Sequence, residues 1–375
     1  MKTGRRIVIL TASFGAGHFK AAQAVEQALK QDNTAVQTRM IDSFTTTAPR
    51  LTRAVIGLYL NILANVPSLY GMFYKWGNHA KTALLGRSLM SVSLAVSTDN
   101  QLAEFSPQSI ICTHASPTGA ICQLKRQSKL AVPVIAAITD FVVHRFWIYD
   151  EVDLYTVMHE ETARGLLAAG VARDKIQVVG IPIAANFNVS LPKAEMRRKL
   201  GLAADIPAVL VMGGGTGALP MDSIVAEFNR CKIPLQLLVV AGRNEPLRRR
   251  LKEISSLNAL HVFGFVDNIH ELMGAADLLV TKPGGLSAAE ALAMGLPMIL
   301  FRPIPGQEEG NAQFLAEAGV ACCVRGLGEL VPTAENLLQN PVQWDMMRCK
   351  ARKLAKPHAA QAVASFALSL CEKSR

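Results

Sequence analysis

The chain is poor in aromatic residues, which fill 6% of its 375 positions, and poor in charge, at 18%. It also lacks any recognisable nucleic-acid motif, so its net charge of +10 is not expected to serve DNA or RNA. Paired cysteines are missing as well. The seven present (Cys112, Cys122, Cys231, Cys322, Cys323, Cys349, Cys371) are odd in number, scattered and without a C-x-x-C spacing. That excludes a disulfide framework and a zinc site, so no metal is expected, and it points to a reducing cytoplasm. No window reaches the roughly 18 uninterrupted apolar residues of a membrane span. Behind Lys2, Arg5 and Arg6 the apolar run is cut at once by "TASFGAGH", too short for a secretory signal.

What is present is a rhythm. Short runs rich in Val, Ile and Leu alternate with helical patterns: Arg6–Leu10, Val36–Ile41, Ile110–Thr113 and Val134–Ile138, then Ala208–Met212, Leu235–Val240, Val262–Phe265, Leu278–Val280 and Met298–Phe301. Runs that are apolar throughout mark parallel strands covered on both faces, which predicts an α/β chain. The glycine- and proline-broken stretch near 180–195 separates the two series, and the length suits two packed domains. Two doubly wound domains facing a cleft are expected, with ligands at the C-terminal ends of strands. Charge is uneven: +8 over residues 1–150, −3 over 151–340 and +5 over 341–375. A basic first half suits an anionic lipid surface or a phosphorylated substrate.

Three stretches carry chemistry. "TASFGAGHFKAA" (11–22) reads as strand, glycine loop, helix, the arrangement that cradles a phosphate. It fits neither the dinucleotide fingerprint nor the P-loop, because the loop closes on Gly17-His18. His18 is either a reacting group or a capping or packed histidine. From about 44 to 96 no good strand occurs, and apolar residues mix with Arg50, Arg53, Lys75, Lys81 and Arg87. This segment is either an ordinary helical insertion or an interfacial surface, with Tyr70, Phe73, Tyr74 and Trp76 suited to the headgroup level. The third stretch runs from Gly264 to Ala312: strand to Lys282, Pro-Gly-Gly loop, helix, strand, then "IPGQEEGNA". Gly284 and Gly285 let a phosphate approach, and the first helical amides near Leu286 and Ser287 face it, a diphosphate seat. Glu290 either closes a capping box with Ser287 or binds ribose hydroxyls. Gln307, Glu308 and Asn311 form either a surface turn or a cluster for sugar hydroxyls.

These stretches, with "ITDFVVHRFWIYDEVDLYTV" (138–157), "VVGIPI" (178–183), "MGGGTG" (212–217) and "AGRN" (241–244), stand in one order along most of the chain. Together they resemble the inverting GT-B glycosyltransferases of the monogalactosyldiacylglycerol synthase and processive diacylglycerol glucosyltransferase group. That group is related to the peptidoglycan N-acetylglucosaminyltransferase that acts on an undecaprenyl-linked precursor. Two motifs, "TKPGG" and "IPGQE", are the most specific. The sequence departs from the relatives in one place at the front, where Phe14-Gly15-Ala16-Gly17-His18 stands for a Gly-Gly-Gly-His pattern, and it matches them less well over 108–122.

The resemblance implies a GT-B fold of two Rossmann-like domains, with an N-terminal acceptor and membrane domain (1–180), a linker (181–195), a UDP-sugar domain (196–355) and a C-terminal helix (356–375) packing back on the first. It implies a UDP-glucose or UDP-galactose donor, a diacylglycerol-type acceptor, an anionic membrane surface on the cytoplasmic side, and no cofactor. The uracil would lie by the main chain of Phe263–Val266, including Phe265 and Val266. Ribose would bind Glu290, the hexose Gln307 and Glu308, and the phosphates the loop with Gly213 and Gly215, beside Arg243. His18 would act as base, with Asp140 the rival base, the orienting group or a helix N-cap. His144 and Trp147, at i and i+3, would meet lipid or pack in the core; His114 has no assigned role. An inverting transfer needs the acceptor hydroxyl deprotonated as it attacks, which a neutral imidazole suits. Alternatives are a polyprenyl-linked or other acceptor, a non-catalytic nucleotide-sugar binder, or a UDP-sugar epimerase.

Overall fold

The computed structural model describes residues 4–12, 16–32, 35–43, 91, 94–95, 98–189, 192–215 and 219–373. The insertion expected at about 44–96, with Arg50, Arg53, Tyr74 and Trp76, falls almost wholly outside these residues. The chain divides into two units. Unit 1 comprises Met1–Ala185, Ile304–Gln307 and Lys356–Arg375; unit 2 comprises Asn186–Pro303 and Glu308–Ala355.

Unit 1 is built on a parallel sheet of β1 (Arg5–Thr11), β2 (Val36–Asp42), β3 (Ser109–Cys112), β4 (Val134–Ala137), β5 (Leu154–Val157) and β6 (Ile176–Val178). Its strand order is β2-β1-β3-β4-β5-β6. Residues of β1 are buried on both faces, and the period of two explains how. Ile7 and Ile9 pack with Ala22, Val25 and Leu29 of helix Ala16–Asp32 and with Val363 and Ala367 of helix Ala359–Lys373. Val8 and Leu10 pack on the opposite face with Leu94, Ile121 and Leu124. The C-terminal helix thus completes the core of unit 1.

Unit 2 repeats the plan with β7 (Ala208–Met212), β8 (Gln236–Val240), β9 (Ala259–Phe263), β10 (Leu278–Thr281), β11 (Met298–Phe301) and β12 (Ala321–Val324), in the order β12-β11-β10-β7-β8-β9. Here Val209, Val211, Leu237 and Val239 meet Ile224, Phe228, Leu247 and Leu330 in one core. In both units every described pairing is parallel. Both are therefore Rossmann-like.

The strand orders locate the chemistry. In unit 1 the chain runs outward to β2 on one side of β1 and to β4 on the other side of β3, so loops leaving β1 and β3 diverge between them. In unit 2 the same reversal falls between β7 and β10. Such switch points open crevices at the carboxyl ends of strands. His18 follows β1, His114 follows β3, Gly213 follows β7 and Lys282 follows β10.

Candidate active site

In unit 1, His18 is the third residue of helix Ala16–Asp32. Its Nδ1 lies 2.9 Å from the carbonyl oxygen of Thr113 and 2.7 Å from the hydroxyl of Thr139. The Thr113 hydroxyl in turn donates to the His18 backbone oxygen at 3.0 Å. The His114 ring stands edge-on to His18, with ring centroids 4.7 Å apart. His114 caps helix Ala115–Arg126, its Nδ1 accepting from the Ser116 amide at 3.1 Å. Burial, with the charge of His18 adding to it, holds the pKa of His114 well below the ordinary histidine value, so this ring stays neutral. Burial also pushes the neighbouring Cys112 thiol up to about 12, which leaves it protonated and removes a thiolate nucleophile from the cluster.

Asp140 is 5% exposed and precedes no helix, so the N-cap alternative for it falls away. Its carboxylate accepts a hydrogen bond from the Gln307 amide, which belongs to the same unit. Thr113 and Thr139 stand at His18 Nδ1.

His144 and Trp147 do not share a helical face. His144 is extended (φ −98°, ψ 142°) and caps the single 3-10 turn Arg145–Trp147, its Nδ1 accepting from the Phe146 amide. Trp147 is buried in the core with Ile138, Tyr155 and Leu166. The expectation that Trp147 meets lipid is therefore corrected to core packing: the turn is too short to hold an i, i+3 surface pair, and the indole turns inward.

In unit 2, helix Gly285–Met294 starts directly after β10, with Gly284 as its N-cap and no side-chain cap. Its first helical donor at the cap is Ala288 N, bonded to Gly284 O at 3.0 Å. The amides of Gly285, Leu286 and Ser287 precede it, the orphan donors of a helix start. A Cβ placed on Gly284 would meet nothing within 4 Å. The loop is held from below, where Asn311 Nδ2 donates to Pro283 O at 3.1 Å and Lys282 pairs with Glu308. Across the switch point, a Cβ on Gly214 (φ +75°) would stand 3.5 Å from Lys282 Cε. Arg243 donates its amide to Gly215 O at 3.1 Å and lays its guanidinium 4.8 Å over the Phe265 ring. Phe265 is 41% exposed, and Val266 follows it beyond β9.

Glu290 lies in the second turn of its helix at 9% exposure. The capping-box alternative would require Ser287 at the N-cap, three residues later than the observed N-cap, Gly284. Glu290 is not a cap. Gly213, Gly215, Gly284, Gly285, Leu286 and Ser287 line one switch point, a seat for an anion with the helix dipole behind it.

The chain matches two family models, that of monogalactosyldiacylglycerol (MGDG) synthase over residues 18–183 and that of the glycosyltransferase family 28 C-terminal domain over 208–364. It is 31% identical to the processive diacylglycerol beta-glucosyltransferase of Bacillus mycoides (strain KBAB4), over 95% of this chain and 91% of the relative. The chain belongs to the monogalactosyldiacylglycerol synthase and processive diacylglycerol glucosyltransferase family. It is a glycosyltransferase. Among solved structures it is similar to Acinetobacter baumannii MurG, with a TM-score of 0.63 and 16% identity over 98% of this chain and 99% of that one. The UDP co-structure of S. aureus MnaA has a TM-score of 0.64 at 15% identity, covering 98% and 97%. These likenesses show the GT-B fold.

Three residues of these clusters carry no role in the sequence analysis. Thr113 and Thr139 follow β3 and β4 beside residues already singled out, and their only local signal is a polar residue closing an apolar run. Lys282 stood inside "TKPGG" with a visible charge, but its partner Glu308 is 26 residues away.

Proposed function

We propose that this glycosyltransferase moves glucose from UDP-glucose to diacylglycerol or a related lipid, inverting the anomeric centre, at an anionic membrane surface. The observations that carry the proposal are, in unit 1, a histidine held by its Nδ1 and, in unit 2, a helix N-terminus without a side-chain cap beside a lysine. Glucose is favoured because full-length relatives carry that sugar in their names. A UDP-hexose is α-linked, so inversion yields the β-glucoside that those names also state.

In this mechanism the acceptor oxygen attacks C1 as His18 takes its proton. The bond from C1 to the β-phosphate oxygen breaks, and its electron pair leaves with UDP. The charge that develops on the diphosphate meets the amides of Gly285, Leu286 and Ser287, with Lys282 beside them. Arg243 and Phe265 stand at the uracil and ribose side, Glu290 serves the ribose, and Gln307, Glu308 and Asn311 serve the hexose. Asp140, bonded to Gln307, fixes the position of that amide. His144 is assigned to the acceptor entrance, and Arg50, Arg53, Tyr74 and Trp76 to the lipid surface. No helix among the described residues is long and apolar enough to cross a membrane.

The test is incubation with labelled UDP-glucose or UDP-galactose and diacylglycerol vesicles, with the anomeric configuration of the product determined. A β-glucosyl lipid is the expected product. An α-linked product, or transfer only to a polyprenyl-linked acceptor, refutes the proposal. His18→Ala should lower kcat by about 10² to 10⁴ while UDP binding stays nearly unchanged.

A further inference from the structure

Two groups that follow different strands, β3 and β4, converge on one nitrogen of His18. The Thr113 carbonyl oxygen lies 2.9 Å from Nδ1 and the Thr139 hydroxyl oxygen 2.7 Å from it, although the threonines are 95 and 121 residues away in sequence. A carbonyl oxygen can only accept. The proton of the neutral ring therefore sits on Nδ1, and its basic lone pair on Nε2. Thr139 Oγ1 shares that proton from a position 4% exposed, two residues beyond β4. Thr113 pins the same residue twice, through its carbonyl to the ring and through its hydroxyl to the backbone oxygen.

We propose that Thr139 is a positioning residue which, with the main chain of Thr113, clamps His18 in the Nδ1–H tautomer and so directs Nε2 toward the acceptor hydroxyl. This inference rests on the assignment of His18 as base, and it adds how the base is kept in its working form. The clamp is uncharged. A carboxylate in its place would favour the imidazolium and reduce the fraction of ring available as a base. A carbonyl and a hydroxyl orient the ring with a smaller bias toward the charged form. During transfer the acceptor proton passes to Nε2, the acceptor oxygen bonds to C1, and the C1–phosphate electron pair leaves with UDP. The positive charge then on the ring is stabilised through Nδ1–H to the Thr113 carbonyl. His114 stands edge-on behind the ring; because its own Nδ1 is occupied by the Ser116 amide, its orientation is fixed by the helix it caps.

The experiment is side-chain ¹⁵N NMR of the histidines in the full chain, combined with kinetics. Wild-type protein should show His18 with a protonated Nδ1 and an unprotonated Nε2. Thr139→Val should leave the proton on Nδ1, which the Thr113 carbonyl sets, but loosen the ring and lower kcat by about tenfold or more, with KM for UDP-glucose changed less than about twofold. Thr139→Ser should restore kcat. A wild-type spectrum with the proton on Nε2 overturns the clamp even where Thr139→Val does not fold. So does a folded Thr139→Val with wild-type kcat. His18→Ala measured in parallel separates the two ideas: unchanged kcat in that variant removes the base assignment, while the spectrum still judges the clamp.

Discussion

The carbonyl oxygen of Gly215 lies 2.7 Å from the point where a Cβ on Gly242 would stand. Gly242 also has φ +63°, so both its backbone conformation and its neighbour demand glycine. The loop after β7 and the loop after β8 touch there, and the next residue, Arg243, bonds Gly215 through its amide. Gly242→Ala should cost on the order of 1–3 kcal/mol through strain and move the Gly213–Gly215 backbone. UDP affinity in calorimetry should fall with the melting temperature; a full-affinity variant would show that this loop does not serve the phosphates.

Lys282 and Glu308 form an ion pair with side chains 23% and 11% exposed. Removing the lysine alone leaves a largely buried carboxylate without its cation. For a fully buried pair that costs about 3–5 kcal/mol, and the solvent reaching Lys282 reduces it. Lys282→Met should lower both stability and UDP affinity. Lys282→Met with Glu308→Gln should recover most of the stability and none of the affinity. Recovery of both in the double variant would make Lys282 a support for Glu308 and nothing more.

Glu290 is buried in the second turn of a helix whose N-cap is Gly284. A hydrogen bond from a ribose hydroxyl to a carboxylate is worth about 1.5–3 kcal/mol, so Glu290→Gln should weaken UDP by about ten- to a hundredfold. The melting temperature of the ligand-free protein should change little. The opposite pattern, a lower melting temperature with unchanged UDP affinity, assigns the carboxylate to packing.

His114 gives the protein a pH signature. Its pKa in the folded state is lowered, chiefly by burial and further by His18, whereas the unfolded chain binds a proton near the ordinary value of about 6.5. Below that value the unfolded state holds more protons at this position, so stability is fully present above about pH 6.5 and declines as pH falls toward the folded pKa. His114→Asn keeps an N-cap acceptor and removes the titration. Its melting temperature should fall less than that of the wild type between pH 7 and 5. Parallel curves would mean that His114 takes up its proton without loss of the fold.

Much of the fold was legible because its signals are local. Apolar runs such as Ala208–Met212 and Met298–Phe301 coincide with β7 and β11, since a strand covered on both faces has no polar residue to interrupt it. Strands β5, β6 and β12 carry weaker signals. Tyr155 and Thr156 break the aliphatic run of β5, β6 spans only Ile176–Val178, and Cys322 and Cys323 occupy the middle of β12. The strand placed at Val262–Phe265 begins three residues earlier and ends two earlier, at Ala259–Phe263. Its edge position leaves it half-exposed, so hydrophobicity marks its end better than its start.

By itself the sequence determined the α/β class, the order of strand, glycine loop and helix around His18 and after Lys282, and the family. Each of these rests on short motifs whose residues lie within a few positions of one another. Only the tertiary structure decided that Thr113 and Thr139 meet His18, that Lys282 meets Glu308, that Glu290 sits past the cap, and that Trp147 turns inward. Those pairings depend on strand order, and strand order is a property of how the helices cover the sheet. A stretch of sequence specifies that β1 and β3 are strands; it does not specify that they lie side by side, which is what brings a histidine and two threonines more than ninety residues apart onto one nitrogen.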